Sequence, residues 1–153
     1  MTGFERALHD LKATDTGLWR PFLLAELAQA FAAAGRASEA HHAVEQAIVA
    51  GAETGEAVWE AELWRVRGDL LVTGKRDADG EAVRSLEHAL QLAGARDARL
   101  WELRAATSLA RLLRDQGKRR AARDLLAPVY GWFTEGFETS DLQQAKALLC
   151  ELS

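Results

Sequence analysis

The stretch LWELRAATSLARLLRDQGKRRAARDLLAPVYGWF, residues 100 to 133, decides how the chain is read. It opens at Trp101, carries apolar and small residues at helical spacing, pauses at Gly117, and resumes with Ala122, Leu126 and Val129. Apolar residues recurring every three or four positions place one apolar stripe on each of two helices. A glycine between them lets the first helix end in a left-handed residue without a Cβ penalty. The stretch reads as a helix hairpin.

The same order of signals occurs twice upstream. Trp19, Trp59 and Trp101 stand 40 and 42 residues apart, in LWR, VWE and LWE. Gly35, Gly74 and Gly117 follow them, then the small residues Ala40, Ala82 and Ala122. Four positions further on come Val44, Leu86 and Leu126, and three beyond those Ala47, Ala89 and Val129. A repeat of about 40 residues is the mark of supersecondary units that bury their apolar faces only by stacking. A small residue lets the second helix approach the first, and the larger residue one turn later fills the space between pairs. The chain is thus expected to form one all-α domain over 1–153, with units at about 17–51, 56–94 and 98–133. Phe4, Leu8 and Leu11 mark a helix before them. Leu142, Ala145, Leu148 and Leu149 mark a capping helix at 139–152, giving eight helices. Gly35, Gly51, Gly74, Gly94 and Gly117 are the expected turn glycines.

Composition supports the helices and excludes several functions. Ala, Leu, Glu, Arg and Gln dominate, and prolines occur only at Pro21 and Pro128. With 153 residues, 48% of them hydrophobic, the protein can bury roughly 70% of its unfolded surface without metal or disulfide staples. The lone Cys150 forms no internal disulfide, and no secretion signal or spanning apolar run of about 20 residues is present, which points to a cytoplasmic protein free of the membrane. A net charge of −4 opposes nucleic-acid binding, which needs a basic surface to displace counterions.

The packing positions resemble the tetratricopeptide repeat. Leu24, Leu27, Ala28, Phe31, Ala40, Val44 and Ala47 match in the first unit, and Ala106, Leu109, Ala110, Leu113, Ala122, Leu126 and Val129 in the third. In the second, Trp64, Gly68, Leu71, Ala82, Leu86 and Ala89 match, but Arg67 stands where an apolar residue belongs and KRDADG lengthens the turn. The family's terminal proline is absent and the period is long. The resemblance implies a tetratricopeptide-like α-solenoid of three hairpins with an N-terminal helix and a C-terminal cap. Residues 56 to 152 are also similar to the C-terminal repeats of bacterial predicted ATPases associated with class III adenylate or guanylate cyclase domains. That likeness implies a regulatory segment of a signalling protein, although the sequence has neither G-x-x-x-x-G-K-[ST] nor a cyclase segment.

No residue set announces catalysis, a cofactor or a metal. His41 and His42 are adjacent and diverge on a helix, His9 and His88 lack ligand-spaced partners, and Cys150 reads as a small apolar residue of the last helix. Glu56, Glu60, Glu62 and Asp69 read as a polar helix face. Trp19, Trp59 and Trp101 are expected to cement neighbouring pairs, and Trp64 to pack, while the aromatics of PVYGWFTEGF precede the cap.

In tetratricopeptide arrays the first helix of each pair lines a concave groove. Transferred by alignment, the groove positions are Phe22, Ala25, Gln29, Ala32 and Ala33; Glu62, Arg65, Asp69, Val72 and Thr73; and Arg104, Thr107, Arg111, Arg114 and Asp115. Arg104, Thr107, Arg111 and Arg114 share one helix face, and Arg65 joins them from the preceding unit. Guanidinium groups grip carboxylates bidentately, so these five residues are the expected site for an acidic peptide or a free C-terminal carboxylate. The plainer alternative is a solvated face with Arg111 paired to Asp115. The expected function is a non-catalytic protein- or peptide-binding module, the alternative a sensor of a small effector. Homo-oligomerisation is left open.

Overall fold

The computed structural model describes residues 6, 9, 20–54, 59–74 and 80–153. The expected first helix around Phe4, Leu8 and Leu11, the indole of Trp19, Glu56 and most of the KRDADG turn lie outside the described residues. Among those described there are seven helices and no strand: α1 (Arg20–Ala33), α2 (Ala37–Thr54), α3 (Glu60–Thr73), α4 (Glu81–Ala95), α5 (Arg99–Asp115), α6 (Arg119–Gly131) and α7 (Ser140–Leu152).

Three turns between helices share one hydrogen-bond scheme. After α1 the Arg36 amide donates to Phe31 O at 2.9 Å and the Gly35 amide to Ala32 O at 3.0 Å. After α5, Lys118 and Gly117 donate in the same way to Leu113 and Arg114. These are Schellman closures, with the left-handed residue at Gly35 (φ 77°) and Gly117 (φ 79°). The third closure follows α4, where Ala98 donates to Ala93 O and Asp97 to Gly94 O. Its left-handed residue is Asp97 (φ 55°) rather than the expected Gly94, which lies inside α4. Gly51 also lies inside a helix, α2, and Gly74 keeps a right-handed φ of −78°.

Packing follows the repeat. Leu24 and Ala25 near the start of α1 meet Ala47 and Ala50 near the end of α2, while Ala28 and Phe31 meet Ala40, Ala43 and Val44. That pattern makes the pair antiparallel. Leu71 of α3 packs on Ala82 and Leu86 of α4, and Leu103, Ala106 and Ala110 of α5 pack on Ala122 and Leu126 of α6. The three expected close-approach alanines, Ala40, Ala82 and Ala122, are all buried. Clusters also run between pairs: Leu63 and Val66 of α3 join the first pair, and Leu109 and Leu112 of α5 join the second. The last helix seats Leu142, Ala145, Leu148 and Leu152 on the α5–α6 core. Leu152 takes the fully buried place expected of Leu149, which is half-buried, and Cys150 is exposed rather than packed.

Helix contacts place the odd and even helices differently. α1 touches α3, α3 touches α5 and α5 touches α7, whereas each even helix touches only the odd helices before and after it. The odd helices therefore form a continuous layer, backed by even helices that do not meet one another.

One expected irregularity has a physical solution. Arg67 replaces an apolar packing residue but joins three helices, donating to Glu45 of α2 at 2.6 Å and to the buried Ser85 hydroxyl of α4 at 2.5 Å. Its guanidinium also lies over the Trp64 ring at 5.6 Å. The recurring tryptophans meet across units: the Trp59 and Trp101 ring centroids are 6.1 Å apart, and Phe22 lies 5.0 Å from Trp59 on the other side. Offset and edge-on aromatic pairs at such distances contribute beyond the area they bury.

Candidate functional site

The helical period that packs one face of each odd helix into the core turns positions three or four residues apart toward a cleft, where Thr107 and Ser108 are themselves buried. Glu26 and Gln29 of α1, Glu62 and Arg65 of α3, Arg104, Thr107, Ser108 and Arg111 of α5, and Asp141 and Gln144 of α7 line one cleft of about 340 Å³. All ten are polar. Even helices contribute none of them.

Arg65, Arg104, Thr107 and Arg111, four of the five residues expected at the site, are brought together here. Arg114 is not: it bonds Asp115 at 3.0 Å and Glu151 at 2.8 Å. Asp115 is thus taken by its neighbour, and the alternative Arg111–Asp115 pair does not form. Ala25, another expected groove position, is buried against α2. Phe22 faces Trp59.

The expected excess of positive charge is not present in the lining. Arg65, Arg104 and Arg111 are matched in number by Glu26, Glu62 and Asp141. Arg65 grips Glu62 with two parallel bonds of 2.8 and 2.6 Å and reaches Asp69 at 2.7 Å. Arg104 spans Asp141 at 3.1 Å and Glu62 at 3.4 Å, with its guanidinium 5.0 Å from the Trp101 ring centroid. Arg111 donates only to the neutral Gln144 Oε1, at 2.7 Å, and makes no ion pair among the described residues. Glu26 likewise has no cationic partner among them; the Gln29 amide donates to it at 3.4 Å.

Burial and charge shape the protonation of this cluster. Burial alone would lower the Arg65 pKa, but the hydrogen bond and charge of Glu62, with Asp69 and Asp141 behind it, raise it above the ordinary arginine value. Arg65 is therefore a permanent, fully engaged cation. Burial raises the Asp69 pKa and Glu62 adds to the rise, while Arg65, the Ser108 hydroxyl and Arg111 oppose it. Ser108 donates to Asp69 at 3.1 Å, and the Thr107 hydroxyl donates to Leu103 O of its own helix at 2.8 Å. The Thr107 hydroxyl proton is thus taken, leaving its oxygen only as an acceptor.

Sequence reasoning missed Glu26, Ser108, Asp141 and Gln144. The last two lie on the helix read as a cap, on the same side as Ala145 and beside Leu142, so polar residues at i, i+3 along the margin of its apolar face were the available signal. Among the described residues no group of three or more His, Cys, Asp or Glu is placed to hold a metal, and no helix is long and apolar enough to cross a membrane. No family model matches the sequence, and no curated protein matches it.

Proposed function

We propose that the protein is a tetratricopeptide-like solenoid that binds a peptide or a segment of a partner protein along the layer of odd helices, without catalysis. The observation that carries this reading is the cleft to which all four odd helices contribute. Small-ligand pockets are mostly apolar, with a few polar groups that orient the guest. This cleft has a wholly polar lining, which suits an extended peptide with its own amides and charges better than a compact apolar effector. The partner is a separate protein or a segment of a longer signalling protein, as the similarity to ATPase-associated repeats implies.

The test is a random dodecapeptide display library panned in parallel against the wild-type protein and Arg111→Glu. Arg111 is preferred to Arg104 for the reversal because Arg104 also ties Glu62 to Asp141. Peptides should be enriched on the wild type and lost on Arg111→Glu, while helical content and melting temperature stay close to wild type. Equal enrichment on both would overturn the assignment.

A further inference from the structure

The charges of the cleft are not equally committed, and the difference defines the guest. Arg65 is held by Glu62 and Asp69, and Arg104 by Glu62 and Asp141. Among the described residues, two charges of the lining form no close ion pair: Glu26, exposed on α1, and Arg111, half-buried on α5, which hydrogen-bonds a neutral amide and acts on Asp69 only through space. They have opposite sign and lie on helices separated by α3.

We infer that the cleft selects a mixed-charge peptide, with a Lys or Arg side chain for Glu26 and a carboxylate for Arg111; this rests on the peptide-binding reading above. Neighbouring helix axes in contact stand about 8–10 Å apart, so α1 and α5 are at most about 16–20 Å apart across α3. An extended strand advances about 3.3 Å per residue, and both side chains reach into one cleft, which places the two charges of the guest no more than about five residues apart. The carboxylate displaces the Gln144 oxygen from Arg111, exchanging a bond in which only the donor is charged for one in which both partners are, with the option of a bidentate fork.

The other charge classes fit less well. A purely acidic peptide finds one uncommitted arginine and three carboxylates, and like charges brought together at an interface are disfavoured. A purely basic one meets two arginines already bound to the carboxylates it would seek. An apolar one leaves the polar lining stripped of water without replacement bonds.

The enriched sequences from the display selection supply the test, read with two further variants. The wild-type pool should pair Lys or Arg with Asp or Glu at a fixed spacing of no more than about five positions. Glu26→Lys should weaken a selected peptide about tenfold, and changing that peptide's cation to Glu should restore it. Arg111→Gln should weaken it by a similar factor and make its carboxylate dispensable. Glu26 is exposed and, among the described residues, accepts a hydrogen bond only from the Gln29 amide, so an unchanged melting temperature for Glu26→Lys separates recognition from folding. A pool enriched in carboxylates alone that binds Glu26→Lys as well as wild type overturns the mixed-charge inference and leaves peptide binding standing. Absence of any enrichment beyond that seen on Arg111→Glu overturns both.

Discussion

Gly68→Ala probes a close approach of α3 to α4, where two effects of opposite sign meet. Gly68 lies inside α3, so an alanine there gains up to about 1 kcal/mol of helix propensity. A Cβ at that position would sit 2.6 Å from Leu86 Cγ, 2.9 Å from Leu86 Cδ2 and 3.3 Å from the Ala82 carbonyl. Carbon atoms in comfortable contact stand about 3.5–4 Å apart, so Leu86 would have to recede by roughly 1 Å. It has nowhere to go, being fully buried and enclosed by Leu71, Leu109 and Leu112. Overpacking of a filled core costs about 1–3 kcal/mol, so the clash wins and the net loss is about 1 kcal/mol. For a protein of this size that lowers the melting temperature by about 2–4 °C. Gly94→Ala is the matched control: it lies inside α4, its nearest neighbour is Glu102 Oε1 at 4.0 Å, and the substitution should raise stability by a few tenths to about 1 kcal/mol. Thermal and urea unfolding of both variants decide the matter. A stabilised Gly68→Ala, matching Gly94→Ala, would refute the close α3–α4 contact.

Ala122→Leu should likewise cost about 1–3 kcal/mol in urea unfolding, because Ala122 is fully buried between α6 and Leu103, Ala106 and Ala110 of α5. Arg67→Met should lose about 1–3 kcal/mol by leaving the buried Ser85 hydroxyl without its partner, and Arg67→Lys should restore only part of it, since one ammonium does not reproduce the fork that reaches Glu45 and Ser85 together. The raised Asp69 pKa means that the folded state holds this proton more tightly than the unfolded state. Its contribution is fully present below the ordinary value of 3.8 and lost as pH rises through the folded value. The stability of Asp69→Asn relative to wild type should therefore increase as pH rises through that window, as urea titrations at a series of pH values will show.

The pairs were legible because their signals are local and repeated. Ala40, Ala82 and Ala122 mark the close approaches, and Gly35 and Gly117 mark turns that need a left-handed residue. The turn at Asp97 was not legible: a short polar side chain also tolerates the left-handed region, and Asp97 is further held by Arg99 at 2.8 Å. Arg67 looked like a flaw because its partners, Glu45 and Ser85, are 22 and 18 residues away. The cleft shows the same division. The convergence of Arg104, Thr107 and Arg111 follows from helical spacing, but their charge balance does not. Arg104 is neutralised by residues 37 and 42 positions away, on two other helices, and no local pattern announces such pairs. The basic patch read from α5 and Arg65 becomes, once Glu26 of α1, Glu62 of α3 and Asp141 of α7 are packed beside it, a site of balanced charge.

The central claim is that the layer of odd helices is the binding surface. Chemical-shift mapping tests it most directly: the 15N-labelled protein is titrated with a peptide enriched on the wild type, and its amide resonances are followed. The account predicts that the largest shifts fall at Gln29, Glu62, Thr107, Arg111 and Gln144, with little change at Arg120, Arg123 or the exposed Trp132. Shifts centred on Trp132 and Phe137, or on α6, with the cleft residues unmoved, would contradict it.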